Sequence, residues 1–212
     1  MSWSKDARGR RSYHHGNLRE ALIAAALDLI AEKGPAGFTF AEAARAAGVS
    51  AAAPYRHFRD RDALLADVAC RGFERFAEAL DHAWDEGRPE PLAAFDAVGR
   101  AYLAFARSEP AYYAAMFEAQ LPPDASPELT RASDAAFAVL RRAAEVVCAL
   151  APADRRPPAL MVSLHMWTMA HGIASLFARG DAARRKLPMT PEDLLEAAVL
   201  IYLQGLGLGP AA

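Results

Sequence analysis

The chain has 212 residues, of which 53% are hydrophobic and 24% are charged, a balance typical of a globular protein with a sizeable core. The formal net charge of -2 excludes a strongly basic chain, so contact with a nucleic acid would depend on local clusters of charge. With only two cysteines, Cys70 and Cys148, a disulfide framework is excluded and a reducing cytoplasm fits best.

Residues 1–15 are rich in basic and small side chains. Arg8, Arg10 and Arg11 are accompanied by a single acidic residue, Asp6. We predict a flexible arm that lies on DNA phosphates, although a solvated tail would have the same composition. Polar residues follow Met1, so no secretory signal is visible.

The next segments have the marks of short helices. Alanine is abundant and alternating runs of Val, Ile and Thr are absent, which predicts an all-α fold. A first helix follows Gly16-Asn17 and ends at Gly34-Pro35. Thr39 and Glu42 have the spacing of a capping box, which begins a second helix that stops at Gly48.

Ser50 is placed as the N-cap of a further helix, which includes Tyr55 and Phe58 and has Pro54 in its first turn. Asp60 then caps a long helix. Helix, tight turn and helix between 39 and 58 form a helix-turn-helix pattern. We therefore predict a DNA-binding domain of three helices over residues 16–60.

A helical bundle is predicted after residue 87. Apolar periodicity indicates helices near 91–108, 110–118, 128–150, 157–179 and 191–206. One segment, 159–178, has no Asp, Glu, Lys or Arg and is about long enough to span a membrane. Its His, Ser, Thr and Gly residues favour a buried helix of a soluble bundle instead, without membrane contact.

Several of these residues together resemble the TetR family of transcriptional repressors. The resemblance covers residues 14 to 65 and rests on Phe38-Thr39, Gly48-Val49-Ser50, Tyr55-Arg56-His57-Phe58 and an acidic N-cap before a Leu-Leu pair. A second stretch, Trp167 to Gly172, resembles the Trp-x-x-x-His-Gly signature of one class of TetR-type ligand domains.

The resemblance implies a homodimer that binds a palindromic DNA operator through two helix-turn-helix units. It also implies that residues 61–212 bind a small-molecule effector and dimerise, and that the effector releases DNA. On this basis the protein is expected to be a cytoplasmic, ligand-responsive regulator.

The expected DNA contacts divide by chemistry. In the family pattern the Tyr, the His and a basic residue after the reading helix hold the DNA backbone, and hydroxyl, imidazole and guanidinium groups suit phosphate oxygens. The three alanines at the start of the reading helix cannot make bidentate contacts with bases, which leaves thymine methyl groups and DNA shape. An alternative is that Arg45 or Arg56 reads the bases. The full set is Arg11, Thr39, Arg45, Ser50, Ala51, Ala52, Ala53, Tyr55, Arg56, His57, Arg59 and Arg61.

The effector is expected to contact an aromatic surface in the C-terminal half, because pockets in helical bundles are mostly apolar with a few polar anchors. A plain core has the same composition, so each contact is a hypothesis. The expected ligand-binding residues are Tyr102, Phe105, Tyr113, Phe117, Phe137, His165, Met166, Met169 and His171.

The last two helices are apolar around most of their circumference, so a second subunit is the natural cover for them. We expect the interface to include Leu164, Ile173, Phe177, Leu195, Val199, Tyr202 and Leu206.

Other functions are less well supported by the residues. No nucleophile, nucleotide or paired-carboxylate motif is present, and the histidines lack the spacing of metal ligands, so neither an enzyme nor a metal or cofactor site is expected. Two alternatives stay open. One is a helical small-molecule carrier without specific DNA binding, and the other is an architectural DNA binder without an effector.

Overall fold

The computed structural model describes residues 18–122, 125–178 and 187–208. These residues form eight α-helices and no strand, which confirms the predicted all-α fold. The predicted arm, including Arg11, lies outside the described residues. The helices are α1 (Leu18–Lys33), α2 (Phe40–Ala46), α3 (Arg61–Trp84), α4 (Pro91–Ser108), α5 (Pro110–Phe117), α6 (Pro127–Cys148), α7 (Ala159–Ala178) and α8 (Pro191–Gly205).

Most helix boundaries follow from local chemistry. The Asp60 side chain accepts a hydrogen bond from the Ala63 N–H at 2.8 Å and begins α3. Ser126 begins α6 in the same way, and Thr190 begins α8 with a capping box. A proline occupies the first turn of α4, α5, α6 and α8, where its missing N–H leaves no hydrogen bond unmade.

The prediction of a helix capped by Ser50 is wrong. The segment instead contains one short 3₁₀-helix, Ala53–Arg56, without a side-chain cap. The Pro54 carbonyl accepts both the His57 N–H at 2.9 Å and the Phe58 N–H at 3.0 Å, so the turn tightens at once. Phe58 is buried and Asp60 already begins α3. The segment between Gly48 and Phe58 is therefore too short for a full α-helix and forms a 3₁₀ turn instead.

Helix α3 is the centre of the molecule, because it packs against α4, α5 and α6 and also against α1. Its buried side chains run from Leu64 to Trp84. Helices α1 and α2 lie at its N-terminal end, while α7 packs on α4, α6 and α8. The segment predicted to bind DNA and the segment predicted to bind a ligand are therefore joined by one continuous helix.

The segment Ala159–Phe177 of α7 is long and apolar enough to cross a membrane by length and composition. Core helices of soluble proteins meet the same criteria. In this structure α7 packs against three other helices of the bundle, but only 33% of the segment is buried, less than a buried helix would show. Part of its surface is apolar and exposed, at Leu160 and Leu164.

Candidate DNA interface and ligand pocket

The start of α2 is fixed by the predicted capping box. The Glu42 N–H donates to Thr39 Oγ1 at 3.2 Å, and the Thr39 N–H donates to Glu42 Oε2 at 2.8 Å. Lys33 at the end of α1 also donates to Glu42, at 3.0 Å. The hydrogen bonds from the Thr39 backbone and from Lys33 lower the pKa of Glu42 to about 2. One carboxylate therefore joins α1 to α2.

The turn after α2 depends on a glycine. Gly48 has a φ of +74°, a left-handed conformation that favours glycine. Its N–H donates to the Arg45 carbonyl, and the Val49 N–H donates to the Ala44 carbonyl, both at 3.0 Å. These bonds end α2 and direct the chain into the segment Ser50–Arg56, which we call the reading segment.

The reading segment presents small side chains to solvent. Ser50, Ala51 and Ala52 are exposed, and Ala53 is half-buried. Pro54 is buried and anchors the segment on the domain. The surface offered at this end is therefore an apolar patch of methyl groups with one hydroxyl.

Polar groups surround that patch. Tyr55 is 63% exposed, and its ring meets Phe40 edge-on at 5.1 Å, which fixes the ring's direction. His57 is exposed, and Arg59 is exposed and ion-paired with Asp60 at 2.8 Å. Exposed ion pairs exchange readily with other anions because they contribute little to stability. The structure thus brings a hydroxyl, an imidazole and a guanidinium group to the end of the reading segment.

Arg61 has different surroundings from Arg59. Its guanidinium group donates to the Phe38 carbonyl at 2.9 Å and to the Pro35 carbonyl, and it lies over the Phe38 ring at 5.0 Å. These contacts hold the loop between α1 and α2. The group predicted to bind phosphate is therefore engaged inside the domain.

Arg45 and Arg56 differ from Arg61, because no side-chain bond of this kind is seen for them among the described residues. Arg45 and Arg56 are exposed, and no ion pair involves either of them within the part of the chain that the structure describes. The Thr39 hydroxyl, in contrast, donates a hydrogen bond to Glu42 Oε2 at 3.0 Å.

Two ion pairs hold the DNA-binding segment on α3. Arg19 donates to Asp67 at 2.8 Å, and Arg71 donates to Glu20 at 2.6 Å. Arg19 also lies over the Phe58 ring at 5.1 Å. Since each pair joins α1 to α3, the orientation of the reading segment is tied to the bundle.

An apolar cavity lies within the bundle, between α3, α4, α5, α6 and α7. Its free volume is about 20 Å³, which is room for about one water molecule. Phe137 of α6 and Trp167 of α7 both line it, with ring centres 5.2 Å apart, and both are half-buried. The lining residues are Phe73, Phe76, Leu80, Tyr102, Phe117, Ser133, Ala136, Phe137, Leu140 and Trp167.

A polar cluster adjoins the cavity. His171 Nδ1 lies 2.9 Å from the Tyr113 hydroxyl and 3.0 Å from the Tyr102 hydroxyl. The Tyr113 and His171 rings stack with centres 5.8 Å apart, and Phe117 meets His171 edge-on at 4.9 Å. Burial raises the pKa of both tyrosines, so each hydroxyl keeps its proton at neutral pH.

The predicted ligand residues separate into two groups. Tyr102, Phe117 and Phe137 line the cavity, and Tyr113 and His171 form the polar cluster beside it. The others do not line it. Phe105 lies on an outer groove of α3 and α4, and Met166 packs near Gly99. Met169 is partly buried against the core. His165 is exposed and hydrogen-bonded to Tyr202.

Sequence reasoning missed the contribution of α3 to the cavity. Phe73 and Phe76 belong to a stripe of apolar residues that this helix buries. That stripe is the available signal, but periodicity does not separate a cavity wall from a filled core.

Other reactive groups are few in the described residues. No group of three or more His, Cys, Asp or Glu side chains there has the arrangement of a metal site. Burial raises the pKa of the Cys70 thiol to about 11, so the thiol stays protonated and acts as a packing group.

The predicted dimer residues also separate by exposure. Ile173, Leu195 and Val199 are buried within the single subunit. Leu164 is exposed, whereas Phe177, Tyr202 and Leu206 are half-buried. The apolar side chains that α7 and α8 leave exposed are Leu160, Leu164, Leu200 and Ile201, and we call them the α7–α8 face.

Two family models match different parts of the chain. Residues 22–68 match the family model of the bacterial regulatory proteins of the tetR family. Residues 95–202 match the model of the tetracyclin repressor-like C-terminal domain. The chain belongs to the TetR family. It is therefore a transcriptional regulator with an N-terminal DNA-binding domain and a C-terminal ligand-binding domain.

Solved structures agree with the family assignment. A protein of unknown function from Rhodococcus sp. RHA1 is 33% identical, with 92% of this chain and 98% of that chain covered and a TM-score of 0.76. The TetR family regulator PfmR from Thermus thermophilus is 19% identical, with 90% and 99% covered and a TM-score of 0.66. The fatty acid degradation regulator FadR from Bacillus halodurans is 12% identical, with 90% and 95% covered and a TM-score of 0.67. No curated protein matches the chain.

Proposed function

We propose that this TetR-family regulator is a cytoplasmic homodimeric repressor that binds a palindromic operator and is released by a small-molecule effector. The observation that carries the proposal is the exposed reading segment, an apolar patch surrounded by polar groups suited to phosphate. No catalytic role is proposed. Trp167 at the cavity and His171 in the polar cluster support the Trp-x-x-x-His-Gly class for the ligand domain.

Phosphate contact is assigned to the groups at the end of the reading segment. Tyr55, His57 and Arg59 are exposed, and the only ion pair that the described residues show for Arg59 is on the surface. Phosphate contacts fix the register of the protein on DNA but carry no sequence information. Arg11 would add a contact from the arm.

Base reading is assigned to the methyl groups of Ala51, Ala52 and Ala53. Methyl groups contact the thymine C5-methyl in the major groove and offer nothing to guanine. The operator is therefore expected to have T-rich half-site edges. Arg45 and Arg56 are exposed and form the alternative reading groups.

The second subunit is expected to cover the α7–α8 face. Ile201 is 69% exposed, and Leu160, Leu164 and Leu200 are exposed too, so both helices leave large apolar side chains in solvent that a second subunit would bury. A two-fold axis through this face would place two reading segments on one side of the dimer.

The experiment is selection of bound sequences from a random duplex pool, followed by the salt dependence of binding to the winner. A palindrome with T-rich edges, bound at least about a thousandfold more tightly than random DNA, is the expected result. A palindrome dominated by guanine would move base reading to Arg45, Arg56 or the arm. Salt-sensitive binding without enrichment would indicate an architectural binder, and no binding would leave a small-molecule carrier.

A further inference from the structure

We propose that the effector is an uncharged, mainly aromatic molecule with one hydrogen-bonding group, which enters between Phe137 and Trp167. The proposal rests on the proposed function, since it takes the cavity to be the effector site. It adds the chemical class of the effector, its route of entry and the residue that orients it.

The lining of the cavity argues against a charged ligand. Of the ten residues that line it, none carries a charge at neutral pH, and burial raises the pKa of the Tyr102 hydroxyl. A charge moved from water into such a site loses its hydration without gaining a counter-ion, which is strongly unfavourable. A carboxylate or an ammonium group is thus rejected by the wall itself.

The rings around the cavity favour a flat aromatic ligand. Phe76 meets Tyr102 edge-on at 4.9 Å, and Phe73 meets Phe117 nearly edge-on at 5.5 Å. Rings packed edge-to-face still have free faces and edges, and an aromatic ligand can contact these in the same favourable geometry. A flexible alkyl chain gains no such contacts and loses rotational freedom when it is confined.

The cavity has room for about one water molecule, so a ligand must displace a side chain. Phe76 and Tyr102 are buried, whereas Phe137 and Trp167 are half-buried, as is Phe117. Of these three, Phe137 and Trp167 contact each other, from α6 and α7. This pair therefore costs less to move. An incoming ring would take the place of the Phe137–Trp167 contact and bury similar apolar area.

The polar cluster supplies the hydrogen bond. Two hydroxyl groups, from Tyr102 and Tyr113, lie within 3.0 Å of one ring nitrogen of His171. A ring nitrogen in neutral histidine takes part in one strong hydrogen bond as donor or acceptor, so the two hydroxyls share it. Tyr102, which lines the cavity, is the one placed to turn toward a ligand while Tyr113 keeps the His171 bond.

Isothermal titration calorimetry on the full chain tests the class of effector with four probes: naphthalene, 2-naphthol, 2-naphthoate and decanoate. We expect 2-naphthol to bind more tightly than naphthalene by about fivefold, the value of one net hydrogen bond. We expect both to bind at least about tenfold more tightly than the two anions, since neither anion finds a counter-ion.

Two variants test the site. Tyr102→Phe removes one hydroxyl and should erase the preference for 2-naphthol over naphthalene without weakening naphthalene. Tyr112→Phe is the matched control, because Tyr112 packs under Arg75 and does not line the cavity. Phe137→Ala should speed association of both neutral probes, as it removes half of this ring pair. Circular dichroism and melting temperature establish that each variant is folded.

A second cleft provides a check on location. It lies beside Leu103, Phe177 and Arg107, and Arg107 pairs with Glu192 at 2.6 Å. Arg107→Ala should change nothing for 2-naphthol. Tighter binding of an anion, with loss in Arg107→Ala, would overturn the proposal, and so would the absence of binding by both neutral probes. These outcomes do not depend on DNA. If the protein binds 2-naphthol but selects no operator from the duplex pool in the absence of any probe, the proposed function alone is overturned.

Discussion

At the scale of single residues, Arg59 and Arg61 show how position decides the role of the same side chain. Arg59 has 84% of its side chain exposed and pairs only with the surface group Asp60 among the described residues. Arg61 bonds to the carbonyls of Phe38 and Pro35, of which both residues are buried. The sequence assigns both to phosphate, because no local signal separates the roles of two basic residues that lie two positions apart in the chain.

Arg59→Ala is expected to weaken operator binding with little change in stability. Loss of one phosphate contact per subunit should reduce the slope of log K against log salt by about 1.8 for the dimer, since each contact contributes about 0.9. The measurement is operator affinity over a range of salt concentrations, with urea unfolding alongside. An unchanged salt slope would remove Arg59 from the interface.

Arg61→Ala is expected to have the opposite pattern. The variant leaves two carbonyl groups of the α1–α2 loop without their donor, which should lower the free energy of unfolding by about 1 to 3 kcal/mol. Arg61→Lys is the matched control, since it keeps the charge but lacks the forked donor geometry. Urea unfolding measures the loss. If Arg61→Ala kept full stability but bound DNA more weakly, Arg61 would have to be assigned to a DNA phosphate instead.

At the scale of elements, local sequence signals determine where a helix begins, whereas packing against distant residues decides which type of helix forms. The start of α3 at Arg61 and of α6 at Pro127 was predictable to within a residue or two, because caps and prolines act within one turn. The 3₁₀-helix was not predictable, since its tightening results from the burial of Pro54 and Phe58 by other helices. A hydrogen-bond pattern that depends on distant residues cannot be predicted from the neighbouring residues in the sequence.

The faces of α8 show the same limit. This helix is apolar on most of its circumference, so periodicity alone does not separate Leu195, which is 1% exposed, from Ile201, which is 69% exposed. The cavity is similar, because Phe73 and Phe76 lie in a stripe that would serve equally well as core. In contrast, Tyr102, Phe117 and Phe137 were found by their aromatic character.

The capping box of α2 gives a prediction for the dependence of stability on pH. The pKa of Glu42 is lowered from 4.5 to about 2, so its stabilising effect is complete above about pH 4.5 and is lost as the pH falls toward 2. Glu42→Ala should therefore melt below the parent protein at neutral pH and approach it in acid. Glu32→Ala, which removes an exposed carboxylate on α1, is the control. A difference in melting temperature that stays constant with pH would contradict this assignment.

At the scale of the whole molecule, one helix contacts both functional regions. Helix α5 contributes Phe117 to the cavity and Tyr113 to the polar cluster, and it also packs against α1 and α3. At the α3 contact, the backbone of Gly72 lies close to Met116. Ion pairs at Asp67 and Glu20 join α1 to α3. A displacement of α5 would therefore move α1 and α3, which hold the reading segment.

The α7–α8 face gives the last prediction, which concerns assembly. Ile201→Glu places a charge at the most exposed apolar position of α8, so a subunit packed against it would have to bury that charge without a partner. We expect the variant to be monomeric in sedimentation experiments, with an unfolding free energy per subunit that no longer depends on protein concentration. Its operator affinity should fall toward that of a single half-site. Leu195→Ala on the buried side of the same helix is the matched control, and it should cost about 2 to 5 kcal/mol in stability while the dimer persists. A dimeric Ile201→Glu variant would mean that the two subunits meet on another surface, and the spacing of the two reading segments would then have to be derived from that surface instead.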